Sequence, residues 1–142
     1  MLESFAFWDS SVLVPLCVIQ EATPQAFRLR STYRMVVWWA TRVEIASALA
    51  RMLRRQEITS SDHRHALQQL LGLTNLWDTV TPSSKIAQNA CALVELYPLR
   101  AADALQLASA LEWCEGKPKG RVFLSFNQRL REAAEMAGFT LQ

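Results

Sequence analysis

Met35-Val-Val-Trp-Trp39 is the strongest strand signal in this 142-residue chain. After the methionine, every residue in it is β-branched or aromatic, and such residues favour strands. A continuous apolar run of this kind is typical of a strand that is covered on both faces, as in a parallel sheet. Phe5-Ala-Phe-Trp8 and Arg121-Val-Phe-Leu-Ser125 are similar runs. We predict that all three lie in one mostly parallel sheet.

Helical segments alternate with these strands. Apolar residues at helical spacing predict helices over residues 12–19, 22–34, 41–56, 59–72, 82–97, 101–114 and 127–138, while residues 78–81 and 139–141 are shorter strand candidates. Such alternation predicts an α/β fold, a three-layer α/β/α sandwich with right-handed crossovers. Because no linker, repeat or low-complexity segment interrupts the pattern, we expect one domain over residues 1–142.

The composition favours a folded protein without a membrane segment. No apolar run approaches the roughly 18 residues that a membrane-spanning helix needs. The first residues, Glu3 among them, lack a basic leader, so we expect no secretory signal and a cytoplasmic location. Cys17, Cys91 and Cys114 are odd in number and widely spaced, which favours reduced core thiols over disulfides. The net charge of +2 does not by itself indicate nucleic-acid binding, although twelve of the fifteen cations are arginine.

The five tryptophans could serve either in RNA binding or in the core. Exposed aromatic rings can stack on RNA bases, whereas buried ones pack in the core. Trp8, Trp38 and Trp39 lie in predicted central strands, so we expect them in the core. For Trp77 and Trp113 the sequence leaves the choice open.

Four polar residues occupy equivalent places in the predicted sheet. Asp9 follows the first strand and Asn127 the last, while Glu44 and Asp103 lie in the first turns of helices. In an open α/β sheet, the carboxyl ends of parallel strands border the crevice where ligands bind. The four side chains are therefore expected to converge.

Each of these residues also has a purely structural explanation. Asp9 and Asn127 could be helix N-caps, and Thr41-x-x-Glu44 matches a capping box. Asp103 could stabilise the positive end of a helix dipole. Together, however, several carboxylates in one cleft repel each other and raise their own pKa values unless a cation is present. The set therefore favours a site for Mg²⁺ or Mn²⁺, which prefer oxygen ligands.

Four segments look like the successive motifs of PIN-domain nucleases, and their order and spacing resemble the toxin subunits of VapBC type II toxin–antitoxin systems. The segments are Asp9-Ser-Ser11, Thr41-x-x-Glu44, Leu99-Arg-Ala-Ala-Asp103-Ala-Leu-Gln-Leu-Ala108 and Val122-Phe-Leu-Ser-Phe-Asn127-Gln-Arg-Leu130. The third is the most specific, and the resemblance covers essentially the whole chain. It implies an endoribonuclease that cuts RNA with Mg²⁺ or Mn²⁺, with transfer RNA as a candidate substrate. It also implies a cognate antitoxin and a homodimer.

The resemblance assigns roles to single residues. Three carboxylates would bind the metal: Asp9, Glu44 and Asp103. Ser11 and Ser125 would support the site through their hydroxyl groups, and Asn127 would orient water or ligand. The family more often has aspartate in place of Asn127, and an amide offers only a neutral oxygen to a metal. A catalytically weakened PIN fold that binds RNA or protein is therefore the alternative function.

A group of arginines also leaves two roles open. Arg28, Arg30 and Arg34 could line a path for RNA phosphates, or they could pair with acidic groups of an antitoxin. The resemblance implies that the antitoxin tail lies in a groove over the second to fourth helices. There it would present a basic side chain to the acidic pocket.

Overall fold

The structure, a computed structural model, describes residues 4–142, and Glu3 lies outside them. The strands are β1 (Ser4–Trp8), β2 (Tyr33–Trp38), β3 (Asp78–Val80) and β4 (Val122–Leu124). The helices are α1 (Ser10–Cys17), α2 (Thr23–Thr32), α3 (Thr41–Arg54), α4 (Ser60–Thr74), α5 (Ser84–Leu96), α6 (Ala101–Trp113) and α7 (Gln128–Ala137). The helices and strands lie close to their predicted positions.

The four strands form a parallel sheet in the order β3-β2-β1-β4. In register, Phe7 of β1 is opposite Val36 of β2 on one side and Phe123 of β4 on the other. Since all the strands run in the same direction, their carboxyl ends meet at one edge. That edge carries the residues that follow Trp8 and Leu124.

Successive residues of each strand point into two different cores. Ala6, Trp8 and Val37 belong to a core cluster formed with α1 to α4. Phe7, Val36 and Phe123 belong to a cluster formed with α5, α6 and α7, where the Phe7 and Phe123 rings stack 5.6 Å apart. The sheet is thus covered on both faces, as its continuous apolar strands require. This arrangement confirms the predicted three-layer α/β/α sandwich.

Several predicted boundaries differ from the structure. The first helix spans Ser10–Cys17 and not residues 12–19, so Ile19 lies outside it. Arg34, predicted at the end of a helix, lies in β2, because α2 ends at Thr32. Residues 139–141 were expected to form a strand, but only a single bridge joins Thr140 to Val122. No helix in the described part of the chain is both long and apolar enough to cross a membrane.

Two side chains that were predicted in the core lie at the surface. Cys91 is exposed on α5, whereas Cys17 and Cys114 are buried as expected. Trp39 follows the last residue of β2 and is 56% exposed, while its neighbour Trp38 is buried. The prediction for Trp39 was wrong because the apolar run continues one residue beyond the sheet.

Candidate metal centre

Asp9 is the most deeply buried of the candidate carboxylates. It comes directly after β1, and its backbone N–H donates to the carbonyl oxygen of Leu124 in β4 at 2.9 Å. This bond fixes Asp9 at the carboxyl edge of the sheet. Only 3% of the residue is exposed. A carboxylate this buried requires hydrogen bonds or a cation to compensate for its lost hydration.

Two serine hydroxyls satisfy one of the two carboxylate oxygens of Asp9. The Oγ atoms of Ser11 and Ser125 donate to Oδ2 at 2.6 and 2.9 Å. Each hydroxyl also accepts a backbone N–H from the segment that follows β4, so its own hydrogen is free to point at Asp9. The hydroxyl of Ser10 lies 3.4 Å from the other oxygen, Oδ1, and the backbone N–H groups of Ser10 and Ser11 also favour the charged carboxylate. The two supporting serines therefore leave Oδ1 available to a ligand.

Glu44 lies in the first turn of α3 and is held from two sides. The hydroxyl of Ser10 donates to its Oε1 at 3.0 Å, and Nε2 of Gln106 lies 3.2 Å from both of its oxygens. Gln106 is a fully buried residue of α6, and its Nε2 also donates to the hydroxyl of Thr41 at 3.0 Å. Gln106 therefore connects α6 to the start of α3.

Asp103 and Asn127 meet between α6 and the start of α7. The Nδ2 atom of Asn127 lies 3.4 Å from each carboxylate oxygen of Asp103. Its Oδ1 accepts the N–H of Leu130 at 3.3 Å and caps α7. Both bonds require the same orientation of the amide, because the nitrogen can only donate and the oxygen can only accept. Asn127 thus presents a donor to Asp103 instead of an oxygen ligand for a metal.

The capping roles considered for these residues are only partly realised. Asn127 does cap α7. Asp9 precedes α1, but its side chain makes no capping hydrogen bond. Thr41 and Glu44 form no capping box, because α3 begins at Thr41 itself and its N-cap residue is Ala40. Asp103 lies in the first turn of α6, where the helix dipole favours a negative charge. Capping therefore does not explain Asp9 or Glu44.

Burial disfavours the charged forms of all three carboxylates, and repulsion by neighbouring carboxylates adds to this for Glu44 and Asp103. Burial raises the pKa of Glu44 to about 7, and the charges of Asp9 and Asp103 act in the same direction. Burial is also the main cause of the raised pKa of Asp9 and of Asp103, and the Asp9 charge adds to the latter. Among the described residues, the one ion pair joins Lys85 to Glu112. No lysine or arginine therefore forms an ion pair with the three carboxylates, although the charges of Arg100 and Arg129 lower the pKa of Asp103 against the larger effect of burial.

This set of donors fits a hard divalent cation. Oδ1 of Asp9 and the carboxylates of Glu44 and Asp103 are oxygen donors of the kind that Mg²⁺ and Mn²⁺ prefer. Within residues 4–142, no group of three His, Cys, Asp or Glu side chains is arranged to hold an ion as a cage. Mg²⁺ does not need such a cage, since it is usually bound by one or two carboxylates and keeps several waters.

Comparisons with known proteins identify the fold. No protein-family model matches the chain, and no curated protein does. Similar solved structures include a toxin–antitoxin complex from Klebsiella pneumoniae (18% identity, TM-score 0.62, covering 87% of this chain and 88% of that one). PAE2754 from Pyrobaculum aerophilum is 15% identical (TM-score 0.68, 97% and 89% covered). VapBC2 from Rickettsia felis is 9% identical (TM-score 0.66, 97% of each chain). The chain has a PIN-like fold.

The PIN-like fold places Arg30 and Arg34 away from the carboxylates. Arg34 lies near the start of β2, at the edge of the sheet opposite to Asp9, and its guanidinium is 5.5 Å from the centre of the Phe5 ring. Arg30 lines the same cleft as Arg34. A phosphate path that leads from these residues directly into the acidic site therefore has no support from their positions.

Sequence reasoning missed two residues of the site, Ser10 and Gln106. Ser10 joins Asp9 to Glu44, yet it reads as an ordinary serine at a helix start. Gln106 follows Asp103 by three positions, so the two residues share a face of α6. A glutamine on the apolar side of a buried helix is the signal that would have indicated it, because buried polar groups need partners.

The raised pKa of Glu44 predicts an unusual pH dependence of stability. Between its ordinary value of 4.5 and about 7, folded Glu44 holds a proton that the unfolded chain has released. The free energy of unfolding of the metal-free protein should therefore fall as pH rises through this window. We expect a decrease of about 1–2 kcal/mol from pH 5 to pH 7.5 after allowance for partial exposure.

Urea denaturation in the presence of a chelator measures this effect. Glu44→Gln is the matched variant, because it keeps the shape and removes the titrating proton, and it should flatten the slope between pH 5 and 7.5. Equal slopes in the wild type and the variant, or a wild type more stable at pH 7.5, would contradict the prediction.

Proposed function

We propose that this chain is a Mg²⁺- or Mn²⁺-dependent endoribonuclease that acts as the toxin of a type II toxin–antitoxin system. The observation that carries the proposal is the set of three close carboxylates, Asp9, Glu44 and Asp103. They come from different elements at the carboxyl edge of a PIN-like fold, and none of them forms an ion pair with a described lysine or arginine. The charges of Arg100 and Arg129 act only on Asp103, where burial and the Asp9 charge outweigh them. The four sequence motifs that resemble PIN-domain nucleases support the same conclusion.

Each side chain has a different role in this site. Asp9 and Asp103 would hold the cation, and Asp9 would use Oδ1 because the hydroxyls of Ser11 and Ser125 donate to Oδ2. Glu44 adds a third negative charge, and its position is set by Ser10 and by Gln106. A divalent ion bound here would neutralise charge on an RNA phosphodiester and lower the pKa of a bound water that attacks it.

A protein partner is part of the proposal. The neighbours from Klebsiella pneumoniae and Rickettsia felis are a toxin–antitoxin complex and a VapBC complex. A cleft of about 510 Å³ lies between α1, α2 and α4 on this chain, and its lining includes Leu16, Ile19 and Phe27. Ile19 is 90% exposed and Phe27 is 49% exposed, so this groove has an uncovered apolar patch on its lining. We place an antitoxin segment in this groove, and the homodimer stays a prediction.

The test is an incubation of the purified, antitoxin-free protein with total RNA, transfer RNA included. We expect discrete fragments with Mg²⁺ or Mn²⁺, none with a chelator, and renewed cleavage when excess Mn²⁺ is added back. Intact RNA under all conditions, with the protein shown to be folded, would refute the nuclease.

A second function is favoured by the orientation of Asn127. Since its amide nitrogen faces Asp103, the site has three formal negative charges and one fewer oxygen ligand than a four-carboxylate site. A PIN fold weakened in this way would bind RNA or protein without cutting. Intact RNA combined with measurable RNA binding is the result that selects this function.

A further inference from the structure

Trp39 stands beside the metal centre with much of its ring exposed. It follows the carboxyl end of β2, and its backbone N–H donates to the carbonyl oxygen of Val80 at 3.0 Å. The ring contacts Trp38 at 68°, with centroids 6.4 Å apart, so the two indoles are not stacked. At least one face of the Trp39 indole is therefore not covered by Trp38.

Two clefts that share Val43 lie between Trp39 and Glu44. One, of about 380 Å³, is lined by Trp39, Arg42 and Val43. The other, of about 520 Å³, is lined by Val43, Glu44 and Arg51. Val43 belongs to both clefts and is 62% exposed. The cleft at Trp39 therefore lies next to the cleft at Glu44, with Val43 as their common wall.

The charges along this surface favour an anionic ligand. Arg42 flanks Trp39 in the first cleft, which no Asp or Glu lines. Arg51 lies in the second, where it donates to the hydroxyl of Ser47 at 3.1 Å. Neither arginine forms an ion pair with a described residue. An apolar partner would have to bury these charges without compensation, whereas a polynucleotide supplies both phosphates and flat bases.

We propose that Trp39 and Arg42 form a nucleotide subsite for single-stranded RNA, in which a base stacks on the Trp39 indole and a phosphate pairs with Arg42. The strand must be single because bases inside a duplex cannot reach a side-chain ring. This subsite deepens the proposed nuclease function and rests on it for the identity of the substrate. The phosphodiester next to the stacked nucleotide lies toward Glu44, over Val43.

Fluorescence anisotropy with a labelled single-stranded 12-nucleotide RNA tests the subsite. The measurement is made with a chelator, so that binding is read separately from cleavage. We expect Trp39→Leu to weaken binding about tenfold, because loss of one stacked base typically costs this much, and Trp39→Phe to keep affinity within about threefold. Arg42→Ala should weaken binding about fivefold. It should also reduce the slope of log affinity against log salt concentration by about one, which corresponds to one fewer counter-ion released.

Arg64→Ala is the matched control, since Arg64 is an exposed arginine of α4 outside both clefts. Its affinity should equal that of the wild type. RNA should also quench the tryptophan fluorescence of the wild type and quench that of Trp39→Phe less, at equal occupancy. Circular dichroism checks that each variant is folded.

Three results would overturn the subsite. The first is wild-type RNA affinity in Trp39→Leu, and the second is an equal loss of RNA affinity in Trp39→Leu and Trp39→Phe. The third is a change in the sedimenting mass of Trp39→Leu while its RNA affinity stays unchanged. The last would show that a second copy of the chain covers the surface. RNA binding with this pattern but without cleavage in Mn²⁺ would instead refute the nuclease and keep the subsite.

Discussion

Asp9→Asn is expected to lower metal-dependent RNA cleavage at least about 100-fold, because removing a direct ligand costs more than the 10- to 100-fold typical of its hydrogen-bonding partners. The same change should raise the free energy of unfolding of the metal-free protein. A buried charge is replaced by an amide whose oxygen still accepts the hydroxyls of Ser11 and Ser125. We expect a gain of about 1–2 kcal/mol, because neutral buried polar groups cost less than charged ones.

Cleavage should fall while stability rises, and this combination distinguishes loss of a metal ligand from loss of the fold. A variant that loses activity through unfolding would lose stability as well. Cleavage is followed on labelled RNA in Mn²⁺, and stability by urea denaturation with a chelator. Asp78→Asn is the matched control, since Asp78 is an exposed aspartate at the opposite end of the sheet, and neither quantity should change. Cleavage by Asp9→Asn at the wild-type rate would remove Asp9 from the metal site.

The layers of the fold could be predicted because they depend on local patterns. Continuous apolar strands such as Met35 to Trp38 need cover on both faces, and alternating helices supply it. The order β3-β2-β1-β4 could not be derived in the same way, because pairing joins residues far apart in the chain. The end of β2 shows the same limit. Nothing in the identical neighbours Trp38 and Trp39 says which one the sheet covers, yet one is buried and the other is exposed.

The candidate site could be predicted where a residue follows a strand directly. Asp9 and Asn127 come at the carboxyl ends of β1 and β4, so their convergence is a consequence of parallel topology. The contacts that hold the site were not accessible in this way. Gln106 reaches Glu44 across 62 residues of chain, and only the packing of α6 against α3 brings the two together. Sequence spacing carries no information about such a contact.

Asn127→Asp is expected to tighten the binding of Mn²⁺ by at least about tenfold. Aspartate is as good an N-cap as asparagine, so the bond from the Leu130 N–H that caps α7 is retained. The second oxygen replaces an amide nitrogen that now lies 3.4 Å from both oxygens of Asp103. Two carboxylates at this distance repel each other strongly without a cation. The metal-free variant should therefore be about 1–2 kcal/mol less stable than the wild type.

Calorimetric titration with Mn²⁺ and urea denaturation with a chelator measure the two effects. Asn127→Ser is the control, because serine also caps a helix but adds no charge, and it should not tighten Mn²⁺ binding. Unchanged affinity in Asn127→Asp would mean that this position lies outside the reach of the ion. The cleavage rate then decides between the two functions. If the wild type binds RNA without cutting it and Asn127→Asp cuts, the asparagine itself has weakened the nuclease. If both cut in saturating Mn²⁺, three carboxylates suffice, and the amide serves to hold Asp103 in place.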